Sequence, residues 1–146
     1  MLFISHRGNL NGPSPEFENS EAYIIKALKS GFAVEIDILR EDGGDIYLGH
    51  DAPVNKTSLD FLANYKDKLW IHCKNLSALN FMLSLKDFNF FWHETDDYTL
   101  TSNGYIWTYF DKPVSDKNII VIKDKIDKEK LPKCFGICSD YVEVYK

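Results

Sequence analysis

The sequence lacks the marks of several protein classes. Its 146 residues contain no apolar run of membrane-spanning length and no basic leader before an apolar stretch, so we expect neither a membrane span nor a signal peptide. The net charge is −5, whereas nucleic-acid binders usually carry a basic patch. We therefore expect no nucleic-acid partner, although a small phosphate ester remains compatible with this charge if a cation is bound beside it.

Cysteine is also scarce. Cys73, Cys134 and Cys138 are odd in number and have no paired spacing, which predicts free thiols and a cytoplasmic location. Cys134 and Cys138 are close enough in sequence to suggest a zinc site, but no second pair completes one. We favour the interpretation that they are small buried residues.

The residues that are abundant predict a globular chain. Hydrophobic residues make up 45%, aromatic residues 14% and charged residues 27%. This composition is typical of a folded protein, and the length is sufficient for one domain with a substantial core. We therefore expect a single domain over residues 1–146.

Short β-branched and aromatic runs alternate with helical patterns along the chain. The eight candidate strands are 2–5, 33–39, 46–49, 69–73, 88–92, 105–109, 119–122 and 136–139. The candidate helices are 20–30, 58–65 and 76–85, with about one further turn each at 96–101 and 127–131. This alternation predicts an α/β fold with a parallel sheet.

The second and third candidate strands are joined only by the turn Asp42-Gly43-Gly44. A parallel crossover needs a dozen or more residues, so this pair is either antiparallel or irregular. Eight strands match the count of a (β/α)₈ barrel, but such barrels typically have roughly 250 residues. A barrel of this length must have shortened or missing outer helices.

Chemically versatile side chains lie at the ends of the candidate strands. All four histidines, His6, His50, His72 and His93, end or directly follow a strand. Active sites form at the carboxyl edge of parallel α/β sheets. A single histidine at such a position is more often an ordinary hydrogen-bonded residue, so the set carries more weight than any member.

The second candidate strand places Glu35 and Asp37 on one face and Val34, Ile36 and Ile38 on the other. Two neighbouring carboxylates repel each other, and their burial is costly unless a positive charge offsets it. A divalent cation with oxygen ligands is one explanation. The other is that this face of the sheet is solvated.

Five short motifs resemble the glycerophosphodiester phosphodiesterase family. They are Ser5-His6-Arg7-Gly8, Glu18-Asn19-Ser20, Val34-Glu35-Ile36-Asp37-Ile38, Asp42-Gly43 and His50-Asp51, which span about the first 55 residues. The family has His-Arg-Gly, Glu-Asn-Thr, Glu-x-Asp, Asp-Gly and His-Asp in the same order. A looser similarity extends to sphingomyelinase D and phosphatidylinositol-specific phospholipase C. The resemblance implies a compact (β/α)₈ TIM-type barrel and a phosphodiesterase activity on a glycerophosphodiester-like or other small phosphodiester.

The second half of the chain resembles the family less closely. Ile71-His72-Cys73-Lys74 is similar to the family's Glu-x-Lys strand, with His72 at the position of a metal-binding carboxylate. Trp107-Thr108 and Gly136-Ile137-Cys138-Ser139-Asp140-Tyr141 resemble the family's Trp-Thr and closing Gly-x-x-Thr-Asp segments. These matches imply a complete but compact barrel.

The resemblance implies a role for each matched residue. His6 and His50 act as the acid–base pair. Glu35, Asp37 and His72 hold a divalent metal, and Arg7 and Lys74 hold the phosphate. Apart from the resemblance, a carboxylate beside a histidine or arginine fixes its orientation, which is the role we expect for Glu18 and Asp51, although ordinary turn and cap roles suit them equally. The attacking group is either water or a neighbouring hydroxyl of the substrate, which would form a cyclic phosphate first.

His72 bears on the choice of metal. Mg²⁺ or Ca²⁺ is expected from the family, whereas an imidazole ligand shifts the preference towards Mn²⁺ or Zn²⁺. Glu94 is the first candidate for a replacement carboxylate, and Asp96 is the second.

Two other functions remain open from the sequence. The alternative function for a barrel with His72 in place of a carboxylate is a non-catalytic module that binds a phosphate ester or headgroup. A zinc hydrolase using His72, His93 and nearby carboxylates ranks last, because no HExxH-type spacing supports it. A barrel without its outer helices would expose apolar strand faces, so we also expect a possible homodimer.

Overall fold

A computed structural model describes residues 1–146. The strands are β1 (Leu2–His6), β2 (Ala33–Arg40), β3 (Ile46–Leu48), β4 (Asn55–Thr57), β5 (Leu69–Cys73), β6 (Phe90–Phe91), β7 (Tyr98–Leu100), β8 (Ile106–Tyr109), β9 (Asn118–Ile122) and β10 (Gly136–Ser139). The α-helices are α1 (Glu21–Lys29), α2 (Leu59–Tyr65) and α3 (Leu76–Leu83). Two 3₁₀ turns follow, at Lys128–Lys130 and Val142–Tyr145.

All ten strands belong to one mixed, curled sheet. Seven of them run parallel, in the order β6, β5, β2, β1, β10, β9 and β8. Three short strands are antiparallel to their neighbours: β3 pairs with the end of β2, β4 with β3, and β7 with β8. The prediction of an α/β fold with a mainly parallel sheet is therefore confirmed.

The sheet does not close into a barrel. The strands β6 and β8 are not paired with each other, because β6 has only two residues and the segment around β7 lies beside it. Thr99 Oγ1 donates to the Trp92 carbonyl at 2.7 Å, and the Ser102 backbone N–H donates to the Phe90 carbonyl at 2.8 Å. The expectation of a closed (β/α)₈ barrel is thus wrong, and the sheet is an open half-barrel.

The three α-helices cover the outer face of β2 and β5. Val34, Ile36 and Ile38 are fully buried there, in a core of 19 residues. α1 presents its buried residues Ile24, Ala27 and Leu28 to this core at helical spacing. The remaining outer core from α2 and α3 comprises Phe61, Leu62, Ala78 and Met82.

No α-helix covers the outer faces of β9 and β10. The final 3₁₀ turn packs there instead, and Tyr145 is fully buried against Ile120, Ile122 and Ile137. The Tyr145 hydroxyl accepts a hydrogen bond from the Ile126 backbone N–H at 3.1 Å. The expected exposure of apolar outer strand faces, the reason for expecting a homodimer, is therefore wrong for these two strands.

A second core fills the inside of the curled sheet. It contains Ile4, Ala33, Trp70, Phe91, Trp107, Ile119 and Cys138. The Phe91 and Trp107 rings lie 4.6 Å apart across the gap between β6 and β8. Polar residues lie directly above this apolar layer, at the carboxyl ends of the parallel strands.

Local differences from the sequence predictions concern the short strands. The strands β2 and β3 are antiparallel, which is one of the two arrangements predicted for a pair joined by so short a turn. The helical turn expected at 96–101 is wrong, because 98–100 forms β7. The strand β4 has no counterpart among the predicted strands, since Asn55, Lys56 and Thr57 carry no apolar pattern. None of the helices combines the length and hydrophobicity that crossing a membrane requires.

Candidate active site

A cleft of about 450 Å³ opens at the carboxyl ends of the parallel strands. All four histidines line it. The full lining is His6, Arg7, Glu35, His50, His72, Lys74, His93, Glu94, Thr95, Trp107, Tyr109, Val121 and Lys123. Residues from separate stretches of the chain therefore converge on one polar opening.

Glu35, Asp37 and His72 form a compact group beneath this opening. The parallel pairing of β2 with β5 sets Asp37 opposite His72, and both carboxylates are buried, with exposures of 2% and 0%. His72 Nδ1 lies 3.1 Å from Asp37 Oδ1 and 3.6 Å from Glu35 Oε1. One ligand atom from each of the three residues lies within 4.8 Å of the others.

The orientation of His72 is fixed by the backbone. Its Nε2–H donates to the carbonyl of His93 at 2.8 Å, which leaves Nδ1 facing the two carboxylates. Nδ1 at this position either carries a proton or offers its lone pair to a cation. Burial lowers the pKa of His72, but Asp37 and Glu35 outweigh burial and raise it to about 9.

The donor set suits a divalent cation. Glu35 Oε2 is buried and has no hydrogen-bond partner, and two carboxylates with one imidazole are common ligands of Mn²⁺ and Zn²⁺. Glu94 lines the cleft but does not belong to this three-residue group, and neither does Asp96. The expectation that Glu94 or Asp96 replaces the missing carboxylate is therefore wrong.

Arg7 contacts two members of the Glu35–Asp37–His72 group. It follows β1 in a turn with φ of 54°, and its backbone N–H donates to the Glu35 carbonyl at 2.9 Å. Its Nε lies 2.8 Å from Asp37 Oδ2, and its Nη1 lies 3.4 Å from Glu18 Oε2. Gly8 completes the turn with φ of 94°, where a Cβ atom would lie 2.7 Å from the Tyr23 ring.

Asn19 is a partner of Asp37 to which the sequence assigned no role. Its Nδ2 donates to Asp37 Oδ2 and its Oδ1 accepts from the Asp37 backbone N–H, both at 3.0 Å. Burial raises the pKa of Asp37, but contacts with His72, Arg7 and Asn19 hold it far below its ordinary value. The only sequence signal for this contact is that Asn19 belongs to the Glu18-Asn19-Ser20 motif.

His6 is held by Asp140, a second residue without a predicted role. His6 Nδ1 lies 2.7 Å from Asp140 Oδ1, which also accepts from Asn9 Nδ2 at 2.7 Å. His6 Nε2 lies 3.8 Å from Glu35 Oε2. Burial lowers the pKa of His6, but Asp140 and Glu35 raise it by more than burial lowers it. The pKa of His6 therefore lies above its ordinary value. Asp140 directly follows the last strand, and this position is the signal that sequence reasoning could have used.

His50 lies at the rim of the cleft and is more exposed to solvent than His6 and His72. Its Nδ1 lies 2.6 Å from Asp51 Oδ1, and its Nε2 lies 3.3 Å from Lys74 Nζ. An ammonium group only donates, so His50 Nε2 accepts and its Nδ1–H donates to Asp51. The side chains of His50 and Asp51 are 38% and 92% exposed.

The cleft thus collects most of the residues that the sequence singled out. His6, Arg7, Glu35, His50, His72 and Lys74 line it, Asp37 lies beneath it, Glu18 touches Arg7, and Asp51 touches His50. It also contains Tyr109 and Lys123, for which the sequence predicts no role. His93 is 6% exposed, and neither of its ring nitrogens has a hydrogen-bond partner. Burial and the neighbouring His72 lower the pKa of His93.

One comparison with known proteins finds a solved structure whose fold is similar to that of this chain. Neither a protein-family model nor a curated protein sequence matches the chain. The crystal structure of a glycerophosphodiester phosphodiesterase from Thermotoga maritima is similar, with a TM-score of 0.63 and 16% sequence identity. The similarity covers 99% of this chain and 97% of that one. At this identity the likeness establishes a shared fold, and it extends over the whole of the chain described above.

Proposed function

We propose that the protein is a metal-assisted phosphodiesterase, formed by residues 1–146 as one domain, that cleaves a glycerophosphodiester-like or other small phosphodiester. The observation that carries the proposal is the convergence of two differently held histidines, His6 and His50, on a cleft above the Glu35–Asp37–His72 group. The shared fold with a glycerophosphodiester phosphodiesterase supports the same conclusion.

Glu35, Asp37 and His72 would hold the cation, with Mn²⁺ or Zn²⁺ as alternatives to Mg²⁺ or Ca²⁺ because of the imidazole. When bound, such a cation supplies positive charge to a non-bridging phosphate oxygen. Arg7 and Lys74 line the same cleft and would bind the remaining phosphate oxygens. Asn19 and Glu18 would position Asp37 and Arg7, respectively.

His50 is the residue we assign as general base. Its Nε2 lone pair points to Lys74 in the free protein, and its other nitrogen donates to Asp51. The attacking hydroxyl, from water or from a neighbouring position on the substrate, would give its proton to His50 Nε2 as its oxygen bonds to phosphorus. The contact between Lys74 and His50 would be replaced by one between Lys74 and the phosphate.

His6 is the residue we assign as general acid. Its Nδ1–H donates to Asp140, a contact that favours the doubly protonated ring. As the bond from phosphorus to the alcohol oxygen breaks, His6 Nε2–H would give its proton to that oxygen. An alkoxide is a poor leaving group, so this proton is a large part of the rate enhancement.

The test is hydrolysis of a glycerophosphodiester and of an aryl phosphodiester in the presence of Mg²⁺, Ca²⁺, Mn²⁺ or Zn²⁺. We expect turnover with at least one of these ions, and its loss in both His6→Ala and His50→Ala. Absence of turnover with every ion would refute the proposal. Melting temperatures of the variants show whether a loss of turnover reflects unfolding.

One observation favours a second function, a non-catalytic module that binds a phosphate ester. Arg7 and His72 already lie beside Asp37 at 2.8 Å and 3.1 Å, so protein cations can balance the buried carboxylates. Calorimetry with glycerol 3-phosphate separates the two functions. Binding that is independent of metal, without turnover, would favour the module.

The three cysteines carry free thiols, and we propose a reducing, cytoplasmic compartment on that ground.

A further inference from the structure

The two sides of the cleft are built differently. The near wall is formed by residues at the ends of β1, β2 and β5. We define it as His6, Arg7, Glu35, His72 and Lys74. The far wall comes from the ends of β6, β8 and β9. Its members are His93, Glu94, Thr95, Tyr109 and Lys123. The proposed reaction uses no residue of the far wall.

Lys123 is the cation of the cleft without an anionic or hydrogen-bonding partner. The cleft is lined by three permanent cations. Arg7 pairs with Asp37 and Glu18, and Lys74 lies 3.3 Å from His50. Lys123 instead places its Nζ 5.8 Å from the centre of the Tyr109 ring. Its charge is therefore available to a bound molecule.

The neighbouring aromatic residues add polar groups to the same wall. The rings of His93 and Tyr109 lie 5.2 Å apart. His93 is 6% exposed, yet neither of its ring nitrogens is hydrogen-bonded within the protein. A buried polar group without a partner is costly and commonly marks a place where another molecule completes the bonding.

We propose that the far wall is a second anion-binding subsite, in which Lys123 binds an anionic group carried by the alcohol portion of the phosphodiester. This inference rests on the proposed phosphodiesterase function, whose reacting phosphate lies at the near wall. The subsite disfavours alcohols with a quaternary ammonium group, because the Lys123 ammonium repels them and lies over the ring of Tyr109 that would otherwise attract them. Glu94 opposes the effect of Lys123 and limits its size.

The first experiment compares glycerophosphoglycerol with the same diester bearing a terminal phosphate. We expect wild-type protein to prefer the phosphorylated substrate. Lys123→Gln should lower kcat/KM for that substrate roughly tenfold, mainly through KM, because a charge-assisted contact is lost. The unphosphorylated substrate should change by no more than about twofold. Lys125→Gln is the matched control, since it removes the same charge from an exposed residue outside the cleft.

Glu94→Gln should have the opposite effect to Lys123→Gln. The ratio of kcat/KM for the phosphorylated substrate to that for the unphosphorylated one should increase. An equal effect of Lys123→Gln on both substrates, or an equal effect of Lys125→Gln and Lys123→Gln, would overturn the subsite while leaving the proposed activity intact.

A binding measurement keeps the two proposals separable if no substrate is turned over. Calorimetry then compares glycerol 3-phosphate with glycerol bisphosphate. Tighter binding of the bisphosphate that is lost in Lys123→Gln and kept in Lys125→Gln supports the subsite, even though the absent turnover refutes the phosphodiesterase. Equal binding of the two ligands overturns the subsite.

Discussion

The near and far walls of the cleft differ in how their charges are held. Beneath the near wall, Asp37 is fully buried and contacts the near-wall residues His72 and Arg7 as well as Asn19. On the far wall, Lys123 has no ion pair and Glu94 is exposed. The near wall includes the ends of β2 and β5, which α1, α2 and α3 cover, whereas no α-helix covers β9 of the far wall. Groups held by several contacts suit a reaction, which requires one geometry, whereas the unpaired charge of Lys123 is available to a bound ligand.

The largest effect is expected on the near wall. His6→Ala should lower kcat by about 10² to 10⁴, the usual range for loss of a positioned proton donor. Steady-state hydrolysis of a phosphodiester measures the change, with the melting temperature as the control for folding. A variant that keeps wild-type turnover would remove His6 from the mechanism and with it the functional distinction between the walls.

The next effect concerns the part of the sheet without α-helices. Tyr145 is fully buried under β9 and β10, so Tyr145→Ala should reduce the free energy of unfolding by about 3–5 kcal/mol. Tyr145→Phe keeps the ring and loses only the hydroxyl that accepts from Ile126, which should cost about 1 kcal/mol.

Urea denaturation measures both changes. If Tyr145→Ala is as stable as Tyr145→Phe, the last 3₁₀ turn contributes little to the core and the helix-free part of the sheet is stabilised in another way.

A smaller effect is expected for Asp140, which positions His6. Asp140→Asn removes a negative charge that raises the pKa of His6, so this pKa should fall. If His6 acts as the acid, activity falls as pH rises through its pKa, and the variant should lose activity at a lower pH than the wild type. We also expect kcat to decrease roughly 10- to 100-fold.

The pH dependence of kcat distinguishes positioning from a general structural effect. An unchanged alkaline limb in Asp140→Asn, despite a lower kcat, would show that Asp140 does not act through the protonation of His6.

The smallest effect lies outside the cleft, at the start of α2. Ser58 Oγ accepts from the Phe61 backbone N–H at 3.1 Å, and Ser58→Ala should cost about 1 kcal/mol of stability. Turnover should stay the same, because α2 packs on the outer face of the sheet. A loss of activity at unchanged stability would show that the outer helices influence the near wall directly.

Much of the near wall could be predicted from the sequence because it depends on short-range pattern. The alternation along β2 places Val34, Ile36 and Ile38 outward and Glu35 and Asp37 inward, as expected. The helices match their predicted positions to within two residues, since their apolar spacing and their caps at Ser58 and Asn75 are local.

The far wall and the strand pairings depend on long-range contacts, which the pattern does not encode. Lys123 and Tyr109 meet only because β8 pairs with β9, Tyr109 opposite Val121. Tyr98 and Leu100 become a strand by pairing with β8. The contact between Asn19 and Asp37 joins a loop residue with φ of 55° to the middle of a strand, and no periodicity predicts it.

The open edge between β6 and β8 has a similar origin. The apolar run 88–92 predicts a full strand, but only Phe90 and Phe91 pair with β5. The carbonyls of Phe90 and Trp92 accept hydrogen bonds from Ser102 and Thr99, in the segment around β7. Whether a sheet closes is decided by such competition between neighbours, which a count of candidate strands does not describe.

The most direct test of the account is a calorimetric titration of Mn²⁺ into the wild type and into Glu35→Gln, which removes a charge at nearly constant shape. We predict one ion per chain for the wild type and at least roughly tenfold weaker binding for the variant. Absence of Mn²⁺ binding, or equal binding by both proteins, would contradict the assignment of Glu35, Asp37 and His72 as a cation site.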